Sequence, residues 1–192
     1  MAARKPPEAA AGADRPARGS RRQPTLRARA LRLLARREHS RAELRQRLVR
    51  YASSESELEA VLDECEQRRW QSDARFALTY VGGRAARFGA LRLRYELAAR
   101  GIDDQRIRQA LGGLDEDEVQ RAFRVWRKRF SAPATDLAER ARQVRFLAQR
   151  GFAAETIRRA LRQAAQLAGT EVRGQQDDLA DFVDPVDPFD PA

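Results

Sequence analysis

Apolar residues recur along most of the chain at the spacing of an α-helix. Leu58, Val61, Leu62 and Cys65 stand at positions i, i+3, i+4 and i+7, which places them on one helix face. Two later sets have the same spacing: Ile107, Ala110, Leu111 and Leu114, then Val119, Ala122, Phe123 and Trp126. Strong helix formers dominate, and no stretch alternates with period two for long enough to indicate a strand. The pattern therefore predicts an all-α protein.

Start and stop signals divide this pattern into short helices. Ser40 and Ser54 each open a Ser-x-x-Glu capping box, and Ser72 and Asp103 are further N-cap candidates. Together with the apolar periodicity, these signals predict nine helices, at 26–37, 41–51, 55–69, 73–87, 90–100, 104–112, 116–130, 134–150 and 154–167.

The chain also repeats one helix–turn–helix unit. LAARGIDDQRIRQAL (97–111) and LAQRGFAAETIRRAL (147–161) align at an offset of 50 residues, with Gly101 over Gly151. Each glycine stands where a helix is expected to end on a left-handed residue. The segment 41–65 is a more diverged copy whose turn lacks the glycine. One such hairpin cannot cover its own apolar stripe, so we predict three tandem three-helix repeats in an elongated array, bounded at 25–71, 72–113 and 114–168.

Charge is distributed unevenly along the 192-residue chain, whose formal net charge is +10. Residues 1–24 are net +4, residues 170–192 are net −6, and the body between them is net +12. A basic body predicts a polyanionic partner, with nucleic acid as the leading case. The alternative is a compositional bias, since all but two of the basic residues are arginine, as expected of a genome rich in G and C.

Both ends of the chain lack helical periodicity and are predicted to be disordered. Residues 1–24 form a basic arm, and residues 169–192 form an acidic tail interrupted by three Asp-Pro steps. Three roles are open for the acidic tail. It folds back on the basic body and competes with the partner, or it docks Phe182 and Phe189 on another protein, or it keeps the basic body soluble.

The residue inventory argues against catalysis and against a bound cofactor. The chain has one histidine, His39, at a helix junction, and one cysteine, Cys65, on an apolar stripe. The spacing of a zinc site is missing, and no P-loop surrounds Lys5 or Lys128. The acidic run 115–118 is interpreted as the charged start of a helix rather than as a metal site. With no apolar run of membrane-spanning length and no signal peptide, we expect a cytoplasmic, non-enzymatic protein without cofactor, metal or membrane contact.

Basic residues on helix faces are the candidates for partner contact. They precede the two glycine turns or follow one face of the helix at 116–130: Arg92, Arg94, Arg121, Arg124, Lys128, Arg142 and Arg145. Repetition of the unit predicts a basic track suited to phosphates or to an acidic protein surface. The alternative is a set of solvated helix faces held by i, i+4 ion pairs.

Three stretches resemble signatures of the RecX family of bacterial recombination regulators. The first, G-[YW]-L-D-D-x-R-F-A-x-x-Y, matches at Trp70, Asp73, Arg75, Phe76, Ala77 and Tyr80. The second, G-x-x-R-[IL]-R-x-E-L-x-x-[KR]-G-I, matches at Gly89, Arg92, Leu93, Arg94, Glu96, Leu97, Arg100, Gly101 and Ile102. The third, R-F-L-x-x-R-G-[FY], matches at Arg145, Phe146, Leu147, Arg150, Gly151 and Phe152. The sequence departs from the first signature, which has Gly, Leu and Asp, at Arg69, Gln71 and Ser72.

The resemblance, which covers residues 26–167, implies three tandem three-helix repeats in a curved, elongated protein. It also implies a partner, the RecA recombinase polymerised on single-stranded DNA, whose ATPase and strand-exchange activities family members usually lower. Many weak contacts along a helical polymer suit an elongated array better than one deep pocket does. We therefore expect a monomer that binds this filament, either through the recombinase alone or through the single-stranded DNA as well. The alternative is a helical module that binds DNA or RNA without a recombinase partner.

Overall fold

The computed structural model describes residues 24–114 and 116–169, and within these ranges every regular element is helical. The helices are α1 (Leu26–Leu34), α2 (Arg41–Leu48), α3 (Glu55–Gln67), α4 (Asp73–Arg84), α5 (Ala90–Ala98), α6 (Asp104–Gly112), α7 (Glu118–Arg127), α8 (Leu137–Ala148) and α9 (Ala154–Leu167). A single 3₁₀ turn, Val49–Tyr51, follows α2. The predicted all-α fold class is confirmed.

Two predictions concern parts of the chain that are not described. The basic arm at 1–24 and the acidic tail at 169–192 lie outside the described residues, apart from Pro24 and Gly169. Their predicted disorder and the roles of the acidic tail stay predictions. Within the described ranges, no helix has the length and the apolar character that crossing a membrane requires.

Most helices end earlier than the sequence pattern predicts. The helix predicted at 26–37 ends at Leu34. Beyond it, amides bond to the carbonyl three residues earlier instead of four, as Arg36 N does to Leu33 O at 3.1 Å. The helices predicted at 116 and 134 begin later, because Asp117 and Asp136 are their N-caps. The predicted N-caps are confirmed, since each accepts a backbone amide hydrogen of the first turn: Ser40, Ser54, Ser72 and Asp103.

Each group of three helices has a hydrophobic core of its own, built from α1–α3, α4–α6 and α7–α9. The repeat in the sequence is visible in these cores. Leu97 and Ile107 of the second core correspond to Leu147 and Ile157 of the third, and all four are at most 1% exposed. Burial of one such side chain stabilises the fold by about 1.5–3 kcal/mol. Cys65 is buried in the first core, where desolvation raises the pKa of its thiol, as expected of a core cysteine.

Gly101 and Gly151 end α5 and α8 in the left-handed conformation, with φ of +76° and +78°. Beside Gly101, Ile102 N donates to Leu97 O at 3.2 Å and Gly101 N donates to Ala98 O at 2.9 Å. These two bonds form the Schellman motif, and equivalent bonds surround Gly151. The predicted helix-ending role of both glycines is confirmed.

The start of each middle helix packs against the glycine turn of the following repeat. Between the second and third repeats, Gly89 N donates to Arg150 O at 2.8 Å. Between the first and second repeats, the Ser40 hydroxyl donates to Arg100 O at 2.8 Å. Ser40 and Gly89 are both N-caps of middle helices, so the two junctions use the same arrangement. The repeats therefore join in sequence order, as expected of an array.

Arg69 ends α3 in the left-handed conformation with φ of +57°, and no other non-glycine residue of the described ranges has a positive φ. Arg69 N and Trp70 N donate at 2.9 Å to Glu66 O and Cys65 O respectively, in the same pattern as at the glycine turns. The family signature has a glycine at this position, and the backbone conformation gives the physical reason for it.

Replacing Arg69 with glycine is therefore expected to stabilise the protein by about 0.5–1 kcal/mol, because it relieves the left-handed strain. Urea unfolding followed by circular dichroism measures the change. Gln67→Gly, at the last residue of α3, is the matched control and is expected to cost about 1 kcal/mol because that position is helical. Equal losses in the two variants would contradict the assignment.

Candidate partner interface

Three of the seven predicted contact residues are exposed and form no ion pair within the described ranges. They are Arg94 on α5, Lys128 at the end of α7 and Arg145 on α8. Their charges can meet a phosphate or an acidic protein surface without first breaking a contact.

Arg124 and Arg142 are exposed but paired. Arg124 contacts Glu116, and Arg142 Nη2 lies 3.1 Å from Glu139 Oε1. Exposed ion pairs contribute about 0–1 kcal/mol, so an anionic partner can replace the carboxylate at little cost. Both residues stay candidates for contact.

Arg92 lies in the junction between the second and third repeats. Its Nε pairs with Glu96 Oε1 at 3.0 Å, and its Nη1 donates to Gln149 O at 3.3 Å. Its guanidinium also lies 4.2 Å from the centre of the Phe88 ring, a favourable cation–π distance. Arg92 therefore joins the two repeats, and a partner would have to share its guanidinium with these groups.

Arg121 is only 5% exposed, which corrects the expectation that it shares an exposed basic face with Arg124 and Lys128. Its Nη1 donates to Glu116 O at 3.3 Å, and its Nη2 lies 3.8 Å from Glu118 Oε1. Burial lowers the pKa of the guanidinium more than the nearby carboxylates raise it. Because α7 packs against both α8 and α9, its buried face is wide enough to include this side chain.

Glu96 is the centre of a polar cluster in the second repeat. Its carboxylate accepts a hydrogen bond from Tyr80 Oη at 2.7 Å and pairs with Arg84 Nε at 3.1 Å and Arg92 Nε at 3.0 Å. Arg100 approaches from the next turn and lies 4.8 Å from the centre of the Tyr80 ring. One anion thus holds several cations, and the cluster keeps a positive charge.

The environment of Glu96 keeps its carboxylate ionised. Burial by itself raises the pKa of Glu96, but hydrogen bonds from Tyr80 and Arg92 and the charge of Arg84 outweigh burial, so the pKa lies below its ordinary value. Burial, followed by the hydrogen bond to Glu96, raises the pKa of Tyr80 to about 12. At neutral pH the carboxylate is therefore charged and the phenol is neutral.

Three arginines converge at the junction of the second and third repeats, and we call them the basic junction cluster: Arg92, Arg129 and Arg150. Burial first, and then the charges of Arg92 and Arg129, lower the pKa of Arg150. Each guanidinium lies over an aromatic ring, at 4.2 Å for Arg92 and Phe88, 5.7 Å for Arg129 and Phe130, and 3.8 Å for Arg150 and Phe146. A surface that holds like charges together favours an anionic partner.

Arg129 and Arg150 were not among the predicted contact residues. Arg150 precedes Gly151 and aligns with Arg100, so the repeat itself carries a signal for it. Arg129 belongs to a basic run at the end of α7, and nothing in the sequence marks it as a contact residue rather than its basic neighbours. Only the packing of the third repeat brings the Phe130 ring, which Arg129 covers, against the Phe146 ring, which Arg150 covers.

His39, the residue best suited to acid–base chemistry, has a structural role in the first repeat. His39 is 3% exposed, and its Nδ1 lies 3.1 Å from Glu43 Oε2. Burial, followed by the charge of Arg37, lowers the pKa of His39. Across residues 24–114 and 116–169, no three His, Cys, Asp or Glu side chains are grouped so that they could hold a metal ion.

Three family models match the chain, one for each group of three helices. The first three-helix domain of RecX matches residues 27–65, the second matches residues 72–111 and the third matches residues 115–161. The three matches follow one another along the chain in the same order as the three hydrophobic cores, with one match for each core.

Curated relatives are similar over most of their length. A regulatory protein RecX from Chromobacterium violaceum is 49% identical over 137 residues, which are 71% of this chain and 89% of the relative. A second, from Leptothrix cholodnii, is 45% identical over 145 residues, which are 76% of this chain and 92% of the relative. The crystal structure of RecX from Lactobacillus salivarius matches with a TM-score of 0.65 at 18% identity, over 73% of this chain and 95% of that chain. At this identity the crystal structure shows a shared fold.

Proposed function

Because the chain belongs to the RecX family of regulatory proteins, we propose that it binds the RecA recombinase filament on single-stranded DNA and lowers its ATPase and strand-exchange activities. We propose that it acts as a monomer in the cytoplasm and that its role is regulatory rather than enzymatic. The basic junction cluster is the observation that carries the proposal. It presents several cations where two repeats of an array meet, and the exposed Arg94 and Arg145 lie on α5 and α8, two of the helices that form this junction.

An array suits a polymeric partner for an energetic reason. One exposed arginine contributes little by itself, but contacts repeated on successive units add up once the first contact is made. The three repeats each have a separate core and join in order, so each can contact a different part of one filament. This supports a partner that is itself repetitive and that carries negative charge on its surface or on its bound DNA.

The DNA-dependent ATPase of the cognate recombinase tests the proposal. Recombinase is assembled on single-stranded DNA, and the rate of ATP hydrolysis is measured while this protein is added. We expect the rate to fall at substoichiometric amounts, because one array contacts several recombinase subunits. An unchanged rate at equimolar protein would overturn the proposal.

Matched variants test whether the exposed arginines make the contact. Arg94→Glu combined with Arg145→Glu is expected to raise the protein concentration needed for half inhibition by about tenfold, through repulsion of an anionic surface. Arg108→Glu combined with Arg162→Glu makes the same charge change at exposed positions that already pair with carboxylates. If both pairs shift the inhibition curve equally, the effect comes from net charge and not from this surface.

A second candidate function is binding of nucleic acid without the recombinase, and the net charge of +12 between residues 24 and 170 favours it. Under this alternative, the protein alone shifts DNA in a gel, with an affinity that falls steeply as salt is raised. The recombinase ATPase would then fall only at protein concentrations that coat the DNA. Inhibition well below that concentration separates the two functions.

A further inference from the structure

A second basic surface, unrelated to the predicted contact residues, lies in the first repeat. A cleft of about 190 Å³ opens between α1, the end of α2 and the 3₁₀ turn. Five of its lining residues are arginines, and no carboxylate of the described residues lines it: Arg29, Arg32, Arg36, Arg47 and Arg50. We call it the arginine cleft. Its concentration of cations needs an explanation, because five guanidiniums that share one cleft repel each other.

The arginines of this cleft differ from their neighbours in having no carboxylate partner. Within the described ranges, ion pairs are made by other arginines of the first repeat, such as Arg41, which binds Glu59, Asp63 and Glu66. Arg29 instead donates from Nε to Pro24 O at 3.2 Å, and the other four cleft arginines form no ion pair with a described residue. Their charge is therefore not neutralised inside the repeat.

Tyr51 holds two of the guanidiniums in place. The guanidinium carbons of Arg29 and Arg50 lie 4.1 Å and 4.8 Å from the centre of the Tyr51 ring. The 3₁₀ turn that ends α2 carries this ring to the rim of the cleft. Cation–π contacts of this kind restrict the arginine side chains before a ligand arrives, which lowers the entropy lost on binding.

A helix end explains only part of the cleft. Basic residues in the last turn of a helix stabilise its negative end, which accounts for Arg32 on α1 and Arg47 on α2. The same effect covers Arg50 in the 3₁₀ turn, but it does not account for Arg29, which lies in the first turn of α1. Arg29 and Arg32 lie one turn apart on α1, and Arg36 follows in the turn after the helix ends at Leu34. Arginines from α1, from the turn after it, from α2 and from the 3₁₀ turn therefore share one cleft, which suits more than one linked anion.

We propose that the arginine cleft binds the phosphate backbone of a single nucleic-acid strand. Guanidinium groups donate paired N–H bonds to phosphate oxygens, and the five that share the cleft can contact neighbouring phosphates of one strand. The half-buried Leu33 forms an apolar part of the wall beside Tyr51, where the face of a base can rest while its phosphate meets an arginine. This site is separate from the proposed recombinase surface, and binding there is measured without any recombinase.

The test is binding of a fluorescent oligothymidylate of about 15 nucleotides to the full chain, followed by anisotropy across a salt series. Arg32→Gln combined with Arg36→Gln is expected to weaken binding about tenfold and to flatten the salt dependence by about 1.4, since each lost single-strand phosphate contact removes about 0.7 from the slope. Tyr51→Leu keeps every charge but releases Arg29 and Arg50. It is expected to weaken binding about threefold.

Matched controls make the outcome decisive. Arg106→Gln combined with Arg108→Gln removes the same charge from exposed arginines that pair with Asp103 and Asp104. This control is expected to change the affinity less than twofold, and circular dichroism melts verify that all variants are folded. Equal losses in both double variants would reduce the binding to net charge and overturn the proposal.

Competitors identify the source of the anion. We expect unlabelled oligothymidylate to displace the probe at low concentration. Inorganic tripolyphosphate, duplex DNA and a peptide with the sequence of residues 177–190 are expected to need much higher concentrations. Displacement at lower concentration by tripolyphosphate would make the cleft a site for free phosphate chains. Stronger displacement by duplex or by the acidic peptide would assign it to those ligands. Each of these results overturns the single-strand assignment.

Discussion

Replacing Gly151 with alanine is expected to destabilise the protein strongly and to loosen the junction between the second and third repeats. Gly151 has φ of +78°, and a Cβ atom there would lie 2.3 Å from Arg92 Cβ and 2.5 Å from Arg92 N. The backbone of α5 cannot move aside as the end of a flexible side chain can. Left-handed strain and the clash therefore add, and we expect a loss of about 3–5 kcal/mol.

Thermal melting and hydrogen exchange measure this loss in different places. The melting temperature is expected to fall by about 10 °C. The amides of Gly89 and Leu91 donate across the junction to Arg150 O and Gly151 O at 2.8 Å and 3.1 Å, so their exchange is expected to become much faster. Amides in the buried helices of the first repeat are expected to exchange nearly as in the wild type.

Gly82 offers a matched control for this substitution. It lies inside α4, and a Cβ atom built there meets nothing within 4 Å. Gly82→Ala is expected to leave the melting temperature unchanged or to stabilise α4 by up to about 1 kcal/mol. If Gly151→Ala melted like Gly82→Ala, both the left-handed turn and the close junction would be wrong.

Removing the Glu96 carboxylate is expected to have the second largest effect. The side chain is 15% exposed and accepts hydrogen bonds or ion pairs from Tyr80, Arg84 and Arg92. Glu96→Ala leaves these three groups partly buried without their anion, which costs about 2–4 kcal/mol. Urea unfolding at neutral pH measures the loss. The stability of Glu96→Gln is expected to lie between that of the wild type and that of Glu96→Ala, because glutamine keeps the size of the side chain and one hydrogen-bond acceptor.

Glu155 is the control for this prediction because it also pairs with two arginines, Arg158 and Arg162. Its side chain is 59% exposed, so Glu155→Ala is expected to change stability by less than about 0.5 kcal/mol. Equal losses at Glu96 and Glu155 would show that burial of the Glu96 cluster contributes nothing.

The pH dependence provides an independent check on Glu96. Its folded pKa is lowered, so its contribution is fully present above the unfolded pKa of about 4.3 and is lost as the pH falls through the folded pKa. The stability difference between wild type and Glu96→Gln is therefore expected to be constant from pH 7 to about pH 5 and to shrink below that. A difference that grows on acidification would contradict the lowered pKa.

Much of the fold follows from local features of the sequence. Apolar spacing, the N-caps at Ser54 and Ser72 and the repeated glycines predict where helices start and turn, because these are interactions between residues at most a few positions apart. The sequence pattern places the ends of α1 and α3 too late, because the last turn of a helix has few local signals. The left-handed backbone at Arg69 was missed for a related reason, because an arginine gives no sign of it.

The sequence by itself determined the helices, the threefold repetition and the positive charge of this protein, because periodicity, capping and composition are written along the chain. Only the tertiary structure decided which arginines are available. It buried Arg121, placed Arg129 and Arg150 over the adjoining rings of Phe130 and Phe146, and left the arginine cleft without a carboxylate among the described residues. Exposure and pairing depend on side chains that are tens of residues apart in sequence, and no local pattern encodes which of them come together in the folded chain.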